Sequence, residues 1–358
     1  MSKTMKAVIK PEQAPGMRLA EVPIPEIGPT DALIKVQAAS ICGTDLHIYK
    51  WDPWARKRIR PPLVVGHEFC GTVVATGRDV HEVKEGDFIS AESHIICGHC
   101  PQCRTGNGHI CQNHQIIGVD RDGCWAEYIV MPEYNLWPNP PDMPPEIACM
   151  LENFGNAVHT AFATDLTARK VLITGCGPVG LMTVAVAKAA GARAVYATDI
   201  SPYRLRLARQ MGATHTLNVA EVDVVEFILD DTAGEGVDVL LEMSGASSAI
   251  DQGFTVLRDG GEAALLGLTA APIGFDINNH IIFKGATVYG ITGRKLWDTW
   301  FRMSGLIDAN AVDLGPLVTH RFTLEQWEDA ITVMGSGASG KVVMFLNQEE
   351  SSNDDSKR

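Results

Sequence analysis

Two rhythms of hydrophobic and polar residues divide this chain. In its first part the apolar runs are short and rich in Val, Ile and Ala: Met5–Ile9, Leu33–Ala39, Gly71–Thr76 and Phe88–Ala91. Turn residues such as Gly28-Pro29, Gly77 and Gly86-Asp87 separate them. Short apolar runs between glycine turns predict many short strands, and so a barrel-like β module. The rhythm changes near residue 160. Val171–Thr174 reads as a short buried strand, Gly175 to Gly180 as a loop, and Leu181–Ala190 as an Ala-rich helix. Ala194–Thr198 is the next strand and runs into Asp199; Arg204–Met211 reads as helix and Thr214–Val219 as extended. Val237–Glu242, Glu262–Leu268 and Thr287–Ile291 are further buried strands. Strands alternating with helices predict βαβ units and a parallel sheet.

That second pattern is a doubly wound, Rossmann-type domain of about 140 residues, an ordinary domain size. It is expected to span 156–296. After Gly293 the chain carries a predicted helix with Leu296, Trp297, Trp300 and Phe301, and His320–Leu346 reads as helix then strand. This closing segment is too short to be a domain, so 297–346 is expected to rejoin the module formed by 1–155. Residues 347–358 are polar and charge-rich and are expected to be disordered. The fold class is α/β.

Composition narrows the partners. The 358 residues are 46% hydrophobic and 20% charged, as in an ordinary globular protein. A net charge of −13 argues against nucleic acid. MSKTMKAVIK has no apolar h-region, and no uncharged apolar stretch is long enough for a bilayer. Nine cysteines without a secretory signal fit reduced thiols in a cytoplasm better than disulfides. Cys70, Cys124, Cys149 and Cys176 sit in apolar or Gly-rich surroundings and read as packing residues.

The remaining cysteines carry chemistry. Cys97, Cys100, Cys103 and Cys111 have the spacing C-x2-C-x2-C-x7-C. Four thiolates this close meet the tetrahedral demand of a structural zinc ion and leave no position open. Cys42 and His67 offer a thiolate and an imidazole for a second, catalytic zinc, which takes three protein ligands and keeps one position free. Glu68 and the distant Glu152, in IACMLENFG, are the acidic candidates. Thr44 and His47 flank Cys42 at a spacing that shares one helix face, as a proton relay needs. Gly175-Cys176-Gly177-Pro178-Val179-Gly180 is G-x-G-x-x-G after a strand and before a helix, with Asp199 ending the next strand. That context predicts a dinucleotide pyrophosphate at the helix N-terminus. Asp199 would accept from a ribose diol and select NAD; Arg204 could instead meet a 2′-phosphate or stack beside adenine.

With these residues in hand, Gly66-His67-Glu68-x2-Gly71-x5-Gly77 resembles the zinc alcohol dehydrogenase signature of the medium-chain dehydrogenase/reductase superfamily. The resemblance covers residues 5–346. More narrowly, SICGTDLHIYKWDPWARKRIRPPLVVGHEF, ESHIICGHC, GVDRDGCWAEY, LENFGNAVHT and GRKLWDTW resemble the family that oxidises L-threonine at C3. The resemblance implies a GroES-like β-barrel catalytic domain beside the Rossmann domain. It implies two zinc ions per chain, one catalytic at Cys42, His67 and Glu68, with Glu152 close enough to ligate or exchange with Glu68. It implies a relay through Thr44 and His47, and NAD contacts at Val179, Asp199, Arg204, Leu266, Gly267, Leu268, Ile291 and Thr292. His94 and Arg294 would approach the substrate or nicotinamide, and the assembly would be a homotetramer. In one departure, Asn153 stands after Glu152 where the family commonly has Pro.

Overall fold

The short apolar runs of the first part become strands because every second side chain is apolar. In Asp31–Ser40, Ala32, Ile34 and Val36 are buried, whereas Lys35 points to solvent. This alternation lets a strand bury one face. The computed structural model describes residues 3–346, so the tail expected to be disordered over 347–358 lies outside the described residues. The chain divides into two units: one runs to Asn153 and resumes at Val318, and the other is Phe154–Leu317.

In the first unit Asp31–Ser40 is the organising strand. One edge pairs with Glu68–Thr76; the other pairs with Tyr128–Pro132 near its start and with Lys341–Phe345 near its end, all antiparallel. A smaller sheet orders Arg18–Pro23, Thr4–Lys10 and Leu63–Val64, and the Val8 N–H to Trp125 carbonyl bond ties it to the rest. Ile34, Val36, Phe69, Val73 and Trp125 share the core. The closing segment differs from the sequence expectation. Val318–Thr323 is a strand, followed by the helix Trp327–Gly335 and the strand Lys341–Phe345. Val318–Thr323 finds a parallel partner in Lys341–Phe345, a non-local pairing that local pattern does not reveal.

The second unit holds six parallel strands: β1 (Lys170–Thr174), β2 (Ala194–Asp199), β3 (His215–Asn218), β4 (Val237–Glu242), β5 (Leu257–Leu265) and β6 (Thr287–Gly290). Their order is 3-2-1-4-5-6, the doubly wound arrangement, with its switch point between β1 and β4. β1 is central, and all five of its residues are buried. β5 ends at Leu265 and β6 at Gly290, so Leu266–Leu268 and Ile291–Thr292 are loops beyond the strands rather than strand ends.

The domain boundary needs a correction. The chain rejoins the first unit at Val318, not near 297. Residues 297–317 stay in the second unit because their helix, Asp298–Asp308, buries Trp300 and Met303 there. Arg302 also lies over the Phe162 ring at 5.4 Å. Leu296 and Trp297, expected inside that helix, precede it.

Candidate metal centres and nucleotide-binding loop

Strand register assembles the first centre. Ser40 lies opposite Glu68 in the pairing of their strands, and Cys42 follows two residues later as the N-cap of helix α1 (Gly43–Lys50). Gly66 delivers His67: its φ is +89°, and a Cβ there would stand 2.0 Å from the Trp125 ring. The donor atoms of Cys42, His67 and Glu68 then lie within 4.8 Å of one another. Asp45 Oδ2 accepts from the Cys42 N–H at 2.9 Å, and its Oδ1 lies 3.5 Å from His67 Nδ1. A carboxylate behind one imidazole nitrogen leaves the other for a metal.

Glu68 has a partner that sequence reasoning missed. Its Oε2 accepts from Ser40 Oγ and from Lys341 Nζ, and the lysine also reaches the Ile41 carbonyl at 3.2 Å. Glu68 and Lys341 are 0% and 1% exposed. Burial alone would raise the Glu68 pKa; the Lys341 ammonium overrides it and holds the carboxyl below its usual range. Burial would likewise lower the His67 pKa, but Asp45 holds it well above the usual value.

A zinc ion fits this donor set. Glu68 Oε1 is buried without a hydrogen-bond partner. With Cys42 ionised and His67 neutral, as ligands must be, the Cys42, Glu68 and Asp45 anions face the one Lys341 ammonium. The excess of two negative charges is what a divalent cation neutralises. Thiolate, imidazole and carboxylate are three ligands and leave one position open.

The second centre is the cysteine lobe. Sγ separations are 3.4 Å for Cys100–Cys103, 3.5 Å for Cys97–Cys111 and 3.8 Å for Cys100–Cys111. Four sulfurs on a tetrahedron with Zn–S of ~2.3 Å stand about 3.8 Å apart. Neighbouring thiols cannot all ionise unaided. The His99 N–H holds Cys97 down at about 6, while desolvation pushes Cys103 up to about 12. A bound cation removes that conflict. Backbone N–H groups of Cys97 and Asn113 also donate to Cys111 Sγ, at 3.4 and 3.3 Å. The four cysteines read as packing residues are buried.

The glycine loop opens helix α2 (Pro178–Ala189), with Gly177 as its N-cap. Gly180 must lack a side chain, since a Cβ would meet the Gly175 carbonyl at 1.9 Å. Space beside Gly177 is open to 4 Å, as a phosphate cradle requires. Asp199 does more than the sequence suggested. Its Oδ2 accepts from the Cys176 N–H at 2.7 Å and its Oδ1 from the Ser201 N–H at 2.8 Å, so it ties the loop to the end of β2. Each oxygen keeps a lone pair for a ribose hydroxyl. The Arg204 Nε is buried without a hydrogen-bond partner, a donor still to be met. The Leu266 and Gly267 N–H groups bond the Glu242 carbonyl, and the Ile291 N–H bonds the Leu265 carbonyl. These residues, with Val179, Leu268 and Thr292, follow the C-terminal ends of β1, β2, β5 and β6, where doubly wound sheets bind ligands.

Thr44 Oγ1 lies 3.9 Å from Cys42 Sγ. His47 is on the same helix; its side chain is 58% exposed, and its Nδ1 sits 2.5 Å from Asp52 Oδ2. Asp52, which no motif marks, also accepts from the Ala55 N–H at 2.9 Å. Burial would raise its pKa, but the Ala55 N–H and His47 hold it low. Glu152 stands outside the three-donor cluster and accepts from Ser93 Oγ at 2.5 Å. It is the second residue of the helix Leu151–Ala161. Asn153 falls in its first turn, where Pro is also tolerated. His94 lies beside the cysteine lobe, its ring 5.5 Å from that of His114. Arg294 is buried in the second unit.

Comparison with known proteins places these features in context. Residues 28–141 match the alcohol dehydrogenase GroES-like domain and 178–309 the zinc-binding dehydrogenase family. An L-threonine 3-dehydrogenase of Symbiobacterium thermophilum is 53% identical over 345 residues, 96% of this chain and 98% of that protein. Its counterpart in Bacillus subtilis is 51% identical over 341 residues, 95% of this chain and 98% of that protein. A zinc-binding dehydrogenase of Sinorhizobium meliloti, solved with NADP, superposes with a TM-score of 0.89 at 31% identity, over 96% of this chain and 100% of that one.

Proposed function

This chain belongs to the zinc-binding dehydrogenase family, in its L-threonine 3-dehydrogenase branch, and on that premise we propose the reaction it performs: NAD-dependent oxidation of L-threonine at C3 to 2-amino-3-oxobutyrate. The observation that carries the chemistry is the clustering of Cys42, His67 and Glu68 donors within 4.8 Å, with the Thr44 hydroxyl beside Cys42. These three residues would hold a catalytic zinc, which would supply a Lewis acid that lowers the pKa of the substrate hydroxyl. NAD, held at the glycine loop and Asp199, would supply the acceptor for the C3 hydride. Thr44 Oγ1 passes the hydroxyl proton onward, and His47 receives it at Nε2. Asp52, on Nδ1, holds the imidazole in the tautomer that leaves Nε2 free and stabilises the cation that forms. Exposure of His47 lets the proton leave to solvent. The product is a β-keto acid and can lose CO2 to give aminoacetone.

NAD reduction, followed optically over a panel, tests the reading. L-threonine is expected to turn over far faster than D-threonine, L-serine, sorbitol or 2,3-butanediol. Faster turnover of sorbitol or butanediol would sink the substrate assignment.

The two donor sets support two zinc ions per chain. Cys97→Ser is expected to lower the melting temperature and halve the zinc content, because a closed site contributes folding free energy. Cys42→Ser keeps the fold and loses activity. A Cys97→Ser protein as stable as wild type but inactive would reverse the two roles.

Asp199 supports NAD over NADP. Asp199→Ala is expected to shift the NADP/NAD preference by about ten- to a hundredfold through loss of a hydrogen bond and of like-charge repulsion. NAD affinity falls as well, since the Cys176 and Ser201 N–H groups lose their tie. An unchanged ratio would show that the carboxylate does not face the ribose.

Homotetramer formation is supported by β6, the last strand in its sheet among the described residues, and by exposed Ile277, Ile282 and Phe283 in the segment that precedes it. A cytoplasmic setting fits free thiols at two metal centres. Among the described residues no helix is long and apolar enough to cross a membrane.

A further inference from the structure

A buried ammonium stands beside the turn that carries the partner of His47. Lys10 ends the strand Thr4–Lys10 and is 0% exposed. Its Nζ lies 4.8 Å from the centre of the Trp51 ring and donates to the Ala14 carbonyl and, at 2.8 Å, to the Gly16 carbonyl. No carboxylate pairs with it among the described residues. Burial lowers its pKa to about 8 against the weaker pull of Glu12. An ammonium buried against neutral groups is unfavourable, and an apolar side chain of the same length would sit there at less cost. The charge therefore holds something that an apolar side chain would not.

What it holds is the end of α1. Trp51 caps that helix with φ +55° and ψ +48°, a left-handed conformation usually left to Gly or Asn. A bulky residue stays there only when its surroundings hold it. The ring is buried against the Lys10 ammonium. Arg56 Nε donates to the Trp51 carbonyl at 2.9 Å. The Gly16 N–H donates to the Tyr49 carbonyl at 2.8 Å, so the loop that Lys10 grips also caps the helix. The turn at Trp51 sends the chain back along α1. It brings the Asp52 N–H to the His47 carbonyl at 3.4 Å and Asp52 Oδ2 to His47 Nδ1 at 2.5 Å. All of these residues belong to the first unit. Given the proton relay described above, on which this inference rests, we propose that Lys10 is a positioning residue of that relay. Through Trp51 it fixes the turn that keeps Asp52 on His47, and so sets the imidazole that receives the substrate proton.

The test uses the zinc-loaded enzyme with NAD and L-threonine, read as NADH formed in the first turnover so that product release does not mask the step. Lys10→Met keeps the stem and removes the charge. It is expected to slow that turnover by about ten- to a hundredfold, the cost of a displaced catalytic group. KM for L-threonine, NAD affinity and zinc content stay at the wild-type level. In a His47→Asn background the same substitution costs nothing more, as residues acting through one group require. A fold that was merely loosened would slow both backgrounds alike. Trp51→Leu is expected to match Lys10→Met, and Trp51→Phe, which keeps a ring face for the ammonium, to lie between it and wild type. This second pair carries the test if Lys10→Met does not fold. Wild-type turnover in Lys10→Met, equal losses in the two backgrounds, or equal turnover in the two Trp51 variants would overturn the proposal. The readings fail differently. A fully active His47→Asn enzyme removes the relay and this proposal with it. An impaired His47→Asn enzyme beside Lys10→Met at wild-type turnover removes the proposal alone. A wild type that prefers butanediol removes only the substrate assignment, and the comparison is then made with butanediol.

Discussion

His47→Asn is expected to lower kcat by about 10²–10⁴-fold, the span for loss of a general base. Asparagine can still donate to Asp52 but cannot take a proton, so the local fold around α1 survives while the relay ends. Zinc content and NAD affinity stay unchanged, because His47 belongs neither to the donor cluster nor to the glycine loop. The pH–rate profile loses the limb that reports imidazole ionisation. Thr44→Ser keeps a hydroxyl and is expected to be mild, whereas Thr44→Val matches the histidine variant. Asp52→Asn is expected to fall between them, since the imidazolium loses the carboxylate 2.5 Å from Nδ1. A fully active His47→Asn enzyme with an unaltered profile would send the proton by another route, with Glu152 the next group to test.

Lys341→Met is the largest expected change in stability. It leaves the Glu68 carboxylate fully buried with its strongest partner gone. Breaking a buried pair by removing one member costs about 3–5 kcal/mol, because a charge stays behind uncompensated. The loss, read as a fall in urea midpoint against wild type treated identically, is expected in full after chelation. It is smaller with zinc bound, since the metal then neutralises Glu68. Glu68→Gln added to Lys341→Met removes the stranded charge and recovers most of the chelated midpoint. A Lys341→Met protein as stable as wild type after chelation would show that the pair carries no such weight.

The donor residues were legible because their types are rare and their local spacing is chemical. Four cysteines within fifteen residues, and Gly66 before His67-Glu68, have few other uses. The glycine loop was legible for a similar reason, since Gly180 answers a steric demand made by Gly175 five residues earlier. The parallel sheet could be read from its buried strands, although β5 began five residues before the expected start.

The partners of those residues were not legible. Lys341 stands 273 positions from Glu68 and reaches it only because Lys341–Phe345 pairs with the end of Asp31–Ser40. Nothing in KVVMF distinguishes a lysine that closes a metal site from one that faces water. No motif marked Asp52 as the partner of His47. The strand Val318–Thr323 went unread until its partner strand was in place, and the helix Asp298–Asp308 looked as though it had left the second unit. What the sequence determined by itself was the chemistry of the donors, the class of each fold unit and the cofactor loop, all of which depend on neighbours along the chain. Only the tertiary structure decided which charges compensate those donors, where the chain crosses between units and which ammonium faces Trp51. Those depend on strand register and side-chain burial, which bring together residues that share no local pattern.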